Sequence, residues 1–178
     1  MATASAAAPA SRNKGVVEAA TTDYVTFTVA DQLFGIPVLK VQDILVPDKI
    51  APVPLAPPEV RGSINLRGRI VTVIDVRTRL GLAGSTGTGS TGTGSTGAGS
   101  TGEGGRGMGV TVETGHDLYT LLVDSVGDVI GLSQDLYESN PSTLDQSWME
   151  FADGVFRLQD KLMVVLNTEH LLNLRGHD

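Results

Sequence analysis

The chain has 178 residues, 22 of them glycine and none cysteine, and its 20 acidic residues outnumber 13 basic ones for a net charge of −7. That length suits one domain of ordinary size, or two small lobes sharing a core. The lack of cysteine excludes disulfides, iron–sulfur clusters, thiolate zinc sites and cysteine nucleophiles, and the acidic balance argues against nucleic-acid or anionic-membrane binding, which needs a basic surface.

The charge is unevenly placed. Residues 23–82 are near neutral at +1 and carry five arginines, at positions 61, 67, 69, 77 and 79, whereas residues 108–178 sum to −9. No apolar run approaches the roughly 20 residues that span a bilayer, so no membrane insertion is expected. Residues 1–21 are rich in Ala, Ser and Thr, read as a disordered tail, and lack the basic and apolar regions of a secretory signal. The cytoplasm is therefore the expected location.

From Tyr24 the pattern has period two. Val25, Phe27 and Val29 alternate with Tyr24, Thr26 and Thr28, as in a half-buried strand. A turn at 30–32 leads to a second strand at 33–38, which must end or lie at an edge at Pro37 because proline cannot donate to the ladder. A turn or helical step follows, then a third strand. Prolines 47, 52, 54, 57 and 58 rule out a long helix next. Residues 63–76 read as a hairpin turning at Arg67-Gly68-Arg69. Its return strand, Ile70 to Ile74, is apolar on both faces, so a barrel core must cover one side and a second lobe or a partner the other. Residues 75–81 read as a short helix closed by Gly81.

Residues 84–107 form an insertion built on a five-residue Gly-Ser-Thr repeat, a composition that cannot offset the entropy of ordering. It contains Gly87-Thr88-Gly89-Ser90-Thr91-Gly92, a formal match to a dinucleotide fingerprint. The match recurs only because the repeat recurs, and no helix follows it, so no such site is expected. Strands resume at 109–114, 118–123 and 126–132. The stretch 138–151 is irregular. A last hairpin at 154–166 precedes a short amphipathic helix at 168–174. Two runs of short strands flanking a linker give two small β lobes, at 22–83 and 108–174, with a short tail at 175–178.

Catalytic chemistry is not expected. No activated nucleophile or Gly-x-Ser-x-Gly elbow occurs, and Asp124 with Asp128, or Asp153 with Asp160, read as solvated acids at strand ends and turns. Histidines 116, 170 and 177 have no metal-ligand spacing, so neither metal nor cofactor is expected.

Four segments in order then resemble one family. Residues 34–44, residues 61–77 with the core Asn65-Leu66-Arg67-Gly68, residues 122–129 and residues 154–172 are similar to CheW, the chemotaxis coupling proteins. The resemblance implies an all-β fold of two packed five-stranded SH3-like barrels with short helices. It also implies a non-enzymatic adaptor joining the cytoplasmic tips of chemoreceptors to the regulatory domain of a histidine kinase, with weak contacts building rings in receptor arrays.

Residue by residue, it places Val41, Gly62, Asn65, Arg67 and Ile70 near a receptor-binding groove between the barrels, and Val38 and Asp43 near the kinase contact. Each has a structural reading beside the functional one. Arg67 either pairs with the receptor tip or braces the hairpin against its neighbour. Gly62 and Gly68 suit backbone geometry. Val38 suits the core, Asp43 a solvated strand end, and Val126 and Val129 the lining of the second barrel. The chain departs from the family pattern in its repeat, in Thr72 where proline is common, and in Asn167 where aspartate is frequent. Two further readings stay open: the same adaptor role in another receptor–kinase pathway, such as surface motility or development, and a stand-alone SH3-like ligand-binding module.

Overall fold

The computed structural model describes residues 20–82, 107–139, 142, 144 and 146–174. The masses of the insertion and of both tails lie outside them, so the expectations for 1–19, for 83–106 and for 175–178 are not addressed by the structure. Eleven strands alternate with short turns: β1 (Thr21–Val29), β2 (Gln32–Pro37), β3 (Val41–Leu45), β4 (Val60–Leu66), β5 (Arg69–Asp75), β6 (Met108–Thr114), β7 (Asp117–Val123), β8 (Ser125–Ser133), β9 (Tyr137–Glu138), β10 (Ala152–Arg157) and β11 (Leu162–Leu166). The helices are α1 (Val76–Arg79), α2 (Gln146–Met149) and α3 (Thr168–Leu172), and 3-10 turns occupy Val38–Lys40 and Gln134–Leu136. Among the described residues no helix is long and apolar enough to cross a membrane.

Local chemistry accounts for most boundaries. The β1–β2 turn places Ala30 and Asp31 at positive φ (49° and 65°), the geometry whose twist matches a two-residue hairpin. β2 stops at Pro37, as its missing N–H requires. Asp75 caps α1 by accepting the Thr78 N–H, and Gly81, at φ 71°, follows its end. Asn167 caps α3 in the same way, accepting the His170 N–H at 2.9 Å, while its amide donates to Asp153 Oδ1 at 2.6 Å. An asparagine therefore does the capping that an aspartate would do.

The strands form two sheets, ordered β8-β1-β2-β11-β10-β9 and β3-β6-β7-β5-β4. The mostly-β, two-sheet architecture is the one expected. The division of the lobes at the insertion is not. β1 and β2 join the late strands β8 to β11, and β6 and β7 join the early strands β3 to β5. The antiparallel pairs β1–β8 and β3–β6 and the parallel pairs β2–β11 and β5–β7 make these long-range joins. Each lobe thus takes strands from both sides of the insertion. Periodicity marks where strands run but is silent about distant partners, which is why a reading by segments misplaces them.

Three apolar clusters explain the strands that are apolar on both faces. Tyr24, Leu132, Phe156, Met163 and Val165 fill the six-stranded lobe. Ile64, Val71 and Val73 fill the five-stranded lobe, where the buried hydroxyls of Thr111 and Thr120 bond each other at 2.8 Å. The largest cluster draws on both sheets, with Phe27, Phe34, Val164 and Leu166 from one and Ile74, Val110, Val112 and Leu121 from the other. Strand neighbours alternate between these cores: Val73 faces its own lobe while Ile74 faces the shared cluster. α2, in the stretch read as irregular, seals the shared cluster by setting Trp148 5.8 Å from Phe34.

Candidate protein-interaction site

The β4–β5 hairpin turns at Arg67 and Gly68, both at positive φ (53° and 86°). Asn65 accepts the Gly68 N–H on its Oδ1 at 2.8 Å, which braces the turn from inside the hairpin. Leu66 pairs with Arg69, and Asn65 with Ile70. The Asn-Leu-Arg-Gly sequence is therefore a turn with its own side-chain brace, and it projects Arg67 at the tip.

Arg67 Nη2 lies 3.1 Å from Asp43 Oδ2, and the other carboxylate oxygen of Asp43 accepts the Ile44 N–H at 2.9 Å. Asp43 is on β3 and Arg67 adjoins β4, the two edges of the five-stranded sheet. A second tie joins these edges, because the segment after β3 bridges β4 through paired Ala51 and Ser63 backbone bonds of 2.8 Å. The sheet is thereby drawn closed. The Arg67 side chain remains 82% exposed. An ion pair so placed contributes no more than about 1 kcal/mol, so its main effect is to aim a guanidinium whose remaining donors face solvent.

The seven residues singled out by sequence fall on one lobe or at its entrance, and they divide in character. Gly62 is buried, at φ +147°, and a Cβ there would land on the Ala51 carbonyl oxygen. It permits the close approach that closes the sheet and offers no surface itself. Val41 is half-buried and packs against the shared core. Asn65, Arg67 and Ile70 are exposed together at the hairpin, with Ile70 83% exposed. The expectation that both faces of β5 are covered therefore fails at its first turn-side residue and holds at Val71, Val73 and Ile74. Val38 is half-buried on the 3-10 turn, and Asp43 is engaged by Arg67. The structure thus links Asp43 and Arg67, which the resemblance had assigned to separate partners. Val126 packs on the shared core, but Val129 is 56% exposed, contrary to a lining role. Ile130 and Leu132 face the six-stranded core, so strand alternation points Val129 outward.

Two features escaped the sequence reading. Leu39, beside Val38, is 91% exposed. Its position on a one-turn 3-10 step leaves it no core to face, and the sequence around it carries no period to reveal that. Next to Ile70, a depression of about 300 Å³ is lined by Arg69, Thr72, His116, Asp117, Leu118 and Tyr119. The parallel β5–β7 pairing brings these residues together, with Thr72 opposite Tyr119. Among the described residues no group of three or more His, Asp or Glu side chains could hold a metal ion.

The junction of the lobes is held by α1. Arg77 Nη2 donates to Asp124 Oδ2 at 2.6 Å, and the same oxygen accepts the Ala30 N–H at 2.8 Å. Asp124 is the single residue between β7 and β8, where the chain passes from one sheet to the other. Arg79 is more deeply set. It donates to the Leu171 and Asn173 carbonyls at the end of α3 at 2.9 and 3.0 Å, meets Glu59 at 3.4 Å and lies 5.0 Å over the Phe151 ring. Cations suit the carbonyl end of a helix. Across the six-stranded lobe, the Tyr137 hydroxyl donates to the Asp153 carbonyl. Burial pushes its phenol above the ordinary value near 10, with the Asp153 and Tyr24 charges adding.

The geometry agrees with three comparisons. Residues 23–176 match the family model described as CheW-like domain. The chemotaxis protein CheW of Klebsiella aerogenes is 25% identical over 151 residues, covering 85% of this chain and 81% of that protein. Its counterpart in Treponema pallidum is 26% identical over 149 residues, covering 84% and 81%. Among solved structures, the scaffolding protein TtCheW from Thermoanaerobacter tengcongensis superposes with a TM-score of 0.70 at 26% identity, over 89% of this chain and 97% of that one.

Proposed function

This chain belongs to the CheW-like domain family, and from that premise we propose that it is a non-enzymatic adaptor coupling the cytoplasmic tips of chemoreceptors to the regulatory domain of a histidine kinase. The observation that carries the reading is the end of the β4–β5 hairpin. There Arg67 is aimed by Asp43 yet open to solvent, beside an Ile70 side chain that the fold leaves uncovered. A helical receptor tip suits such a surface. Ile70 would bury against an apolar helix face, and Arg67 would pair with a carboxylate or with carbonyls at a helix end. Asn65 keeps the turn in shape, while Val41 and Gly62 fix the strands behind it.

The kinase contact is assigned to Val38 and Asp43, with exposed Leu39 supplying the apolar area that half-buried Val38 does not. Because Asp43 also holds Arg67, the two partner surfaces adjoin through one ion pair. Each contact is weak in this reading, and ring assembly supplies strength: linked sites raise avidity by roughly two to four orders of magnitude without new contacts. The adaptor works in the cytoplasm, held beneath the membrane by its receptors.

The test is co-sedimentation with receptor-tip fragments and the cognate kinase, with kinase autophosphorylation as a second readout. Wild type is expected to join both partners and raise kinase activity. Arg67→Ala is expected to stay folded and lose the receptor. A folded wild-type protein that binds neither partner would overturn the proposal.

A further inference from the structure

The polar depression beside Ile70 has no task inside the fold. On β5, Val71 and Val73 fill the core of their own lobe, so Ile70, Thr72 and Ile74 lie on the opposite face. Ile74 is buried in the cluster shared by the lobes, Thr72 is half-buried and Ile70 is exposed. The parallel register sets Tyr119 beside Thr72 and Leu121 beside Ile74, and Tyr119 packs against the shared cluster. The depression of about 300 Å³ is therefore the place where this face leaves the interior and meets solvent, and Arg69, His116 and Asp117 contribute to its lining.

Its polar groups are uncommitted. Of the six arginines among the described residues, five (61, 67, 77, 79 and 157) have a carboxylate at 3.7 Å or less, and Arg69 does not. The Thr72 and Tyr119 hydroxyls and the His116 ring likewise make no side-chain hydrogen bond to another described residue. The contrast is with Thr120, the buried neighbour of Tyr119, whose hydroxyl bonds Thr111 at 2.8 Å. Hydroxyls on the inner face satisfy one another, whereas those in the depression wait for a partner or water.

We propose, resting on the coupling role given above, that this depression receives an aspartate or glutamate side chain of the same receptor helix that covers Ile70. The chemistry favours a carboxylate. A free guanidinium offers it a two-pronged contact, and the two hydroxyls can donate to its remaining lone pairs. Asp117 is the one acid in the lining. It opposes a carboxylate and so tempers the affinity, but a cationic occupant would meet Arg69 with only that acid to offset it.

The spacing fits a helix. Ile70 and Thr72 are two residues apart on one strand face, about 6.5–7 Å, and a helix rises about 5.4 Å per turn. A helix laid along β5 with an apolar side chain on Ile70 carries the residue three or four positions away over the depression. The partner signature is therefore an apolar and an acidic residue at that spacing, and Arg69 and Thr72 read the acidic one.

The experiment measures binding of the receptor-tip fragment to wild type, Arg69→Ala, Asp117→Asn and Ile70→Ala, using the fragment as it is and with each of its acidic residues changed in turn to the amide. Arg69→Ala is expected to weaken binding about tenfold, and Asp117→Asn to tighten it about threefold. Both positions are exposed, and effects of opposite sign cannot both arise from unfolding. For one amide variant of the tip both effects should vanish, and that residue should stand three or four positions from the apolar residue whose truncation cancels the effect of Ile70→Ala. A tip that binds wild type and Arg69→Ala alike would overturn this inference and leave receptor coupling standing. So would a loss in Arg69→Ala that persists through every amide variant, or weaker binding by Asp117→Asn. A tip that fails to bind folded wild type would overturn the coupling role and this inference with it.

Discussion

The two lobes close in different ways. In the six-stranded lobe the edge strands β8 and β9 are joined by the chain itself through the 3-10 turn Gln134–Leu136, and behind them Phe156 packs edge-on to Tyr24 and Tyr137 at 5.2 and 5.4 Å. In the five-stranded lobe the edges β3 and β4 lie far apart in sequence. A single backbone bridge at Ala51 and Ser63 and the exposed Asp43–Arg67 pair draw them together. One closure is apolar and internal, the other polar and at the surface. The polar one can be exchanged for contacts to a partner at little cost in stability, which suits its groups to the recognition role proposed for them.

Damage to the internal closure should cost the most stability. Phe156→Ala removes a fully buried ring and is expected to cost about 3–5 kcal/mol, read as a lowered urea midpoint; an unchanged midpoint would remove the aromatic core from the account. Next comes the junction between the lobes. Arg79→Met deprives Glu59 and the end of α3 of their cation, and with both ion-pair partners largely buried the loss should be about 3 kcal/mol. Arg79→Lys would recover part of it, and equal losses for both variants would contradict the geometry assigned to the guanidinium.

Smaller effects test the polar closure. Gly62→Ala places a methyl against the Ala51 carbonyl at a φ that alanine rarely adopts, and should destabilise by roughly 1–3 kcal/mol in thermal unfolding. Arg67→Ala should cost less than about 1 kcal/mol while abolishing receptor co-sedimentation. Substantial unfolding of this variant would instead make Arg67 the brace, and remove the distinction drawn between the lobes.

The smallest effect is on pH. The Tyr137 phenol is harder to ionise in the folded chain than in the unfolded one. Its contribution to stability is therefore full below about pH 10, the ordinary tyrosine value, and lost as pH rises through the higher folded value. Wild type should lose stability over that alkaline range and Tyr137→Phe should lose less of it. Parallel pH curves would show that the burial of this hydroxyl has no consequence for stability.

Much of the site was legible because it is local. The Arg67-Gly68 turn follows from a glycine able to adopt positive φ; the Asn65 brace, although it spans only three residues, came from the structure. The end of α1 at Gly81 is likewise short-range. What was not legible depends on distant partners. Strands from both sides of the insertion share a sheet because β1–β8, β3–β6, β2–β11 and β5–β7 all pair across it. Val129 was placed inside because its apolar character was visible and its face was not. Arg67 and Asp43 stand 24 positions apart in sequence, and only the curl of the sheet makes them neighbours.

The sequence by itself determined a β-rich chain without cysteine, interrupted by a Gly-Ser-Thr repeat, with a hairpin tip bearing Arg67 and a family resemblance spread over four segments. Composition, period and turn chemistry act over a few residues, and they can be read in order. The tertiary structure alone decided which strands share a sheet, that Gly62 is a close-packing residue, that Ile70 and Leu39 are left facing water, and that α1 fastens one lobe to the other through Arg77 and Arg79. These depend on free-energy gains between groups far apart along the chain, where loop closure and register, not local propensity, select the partner.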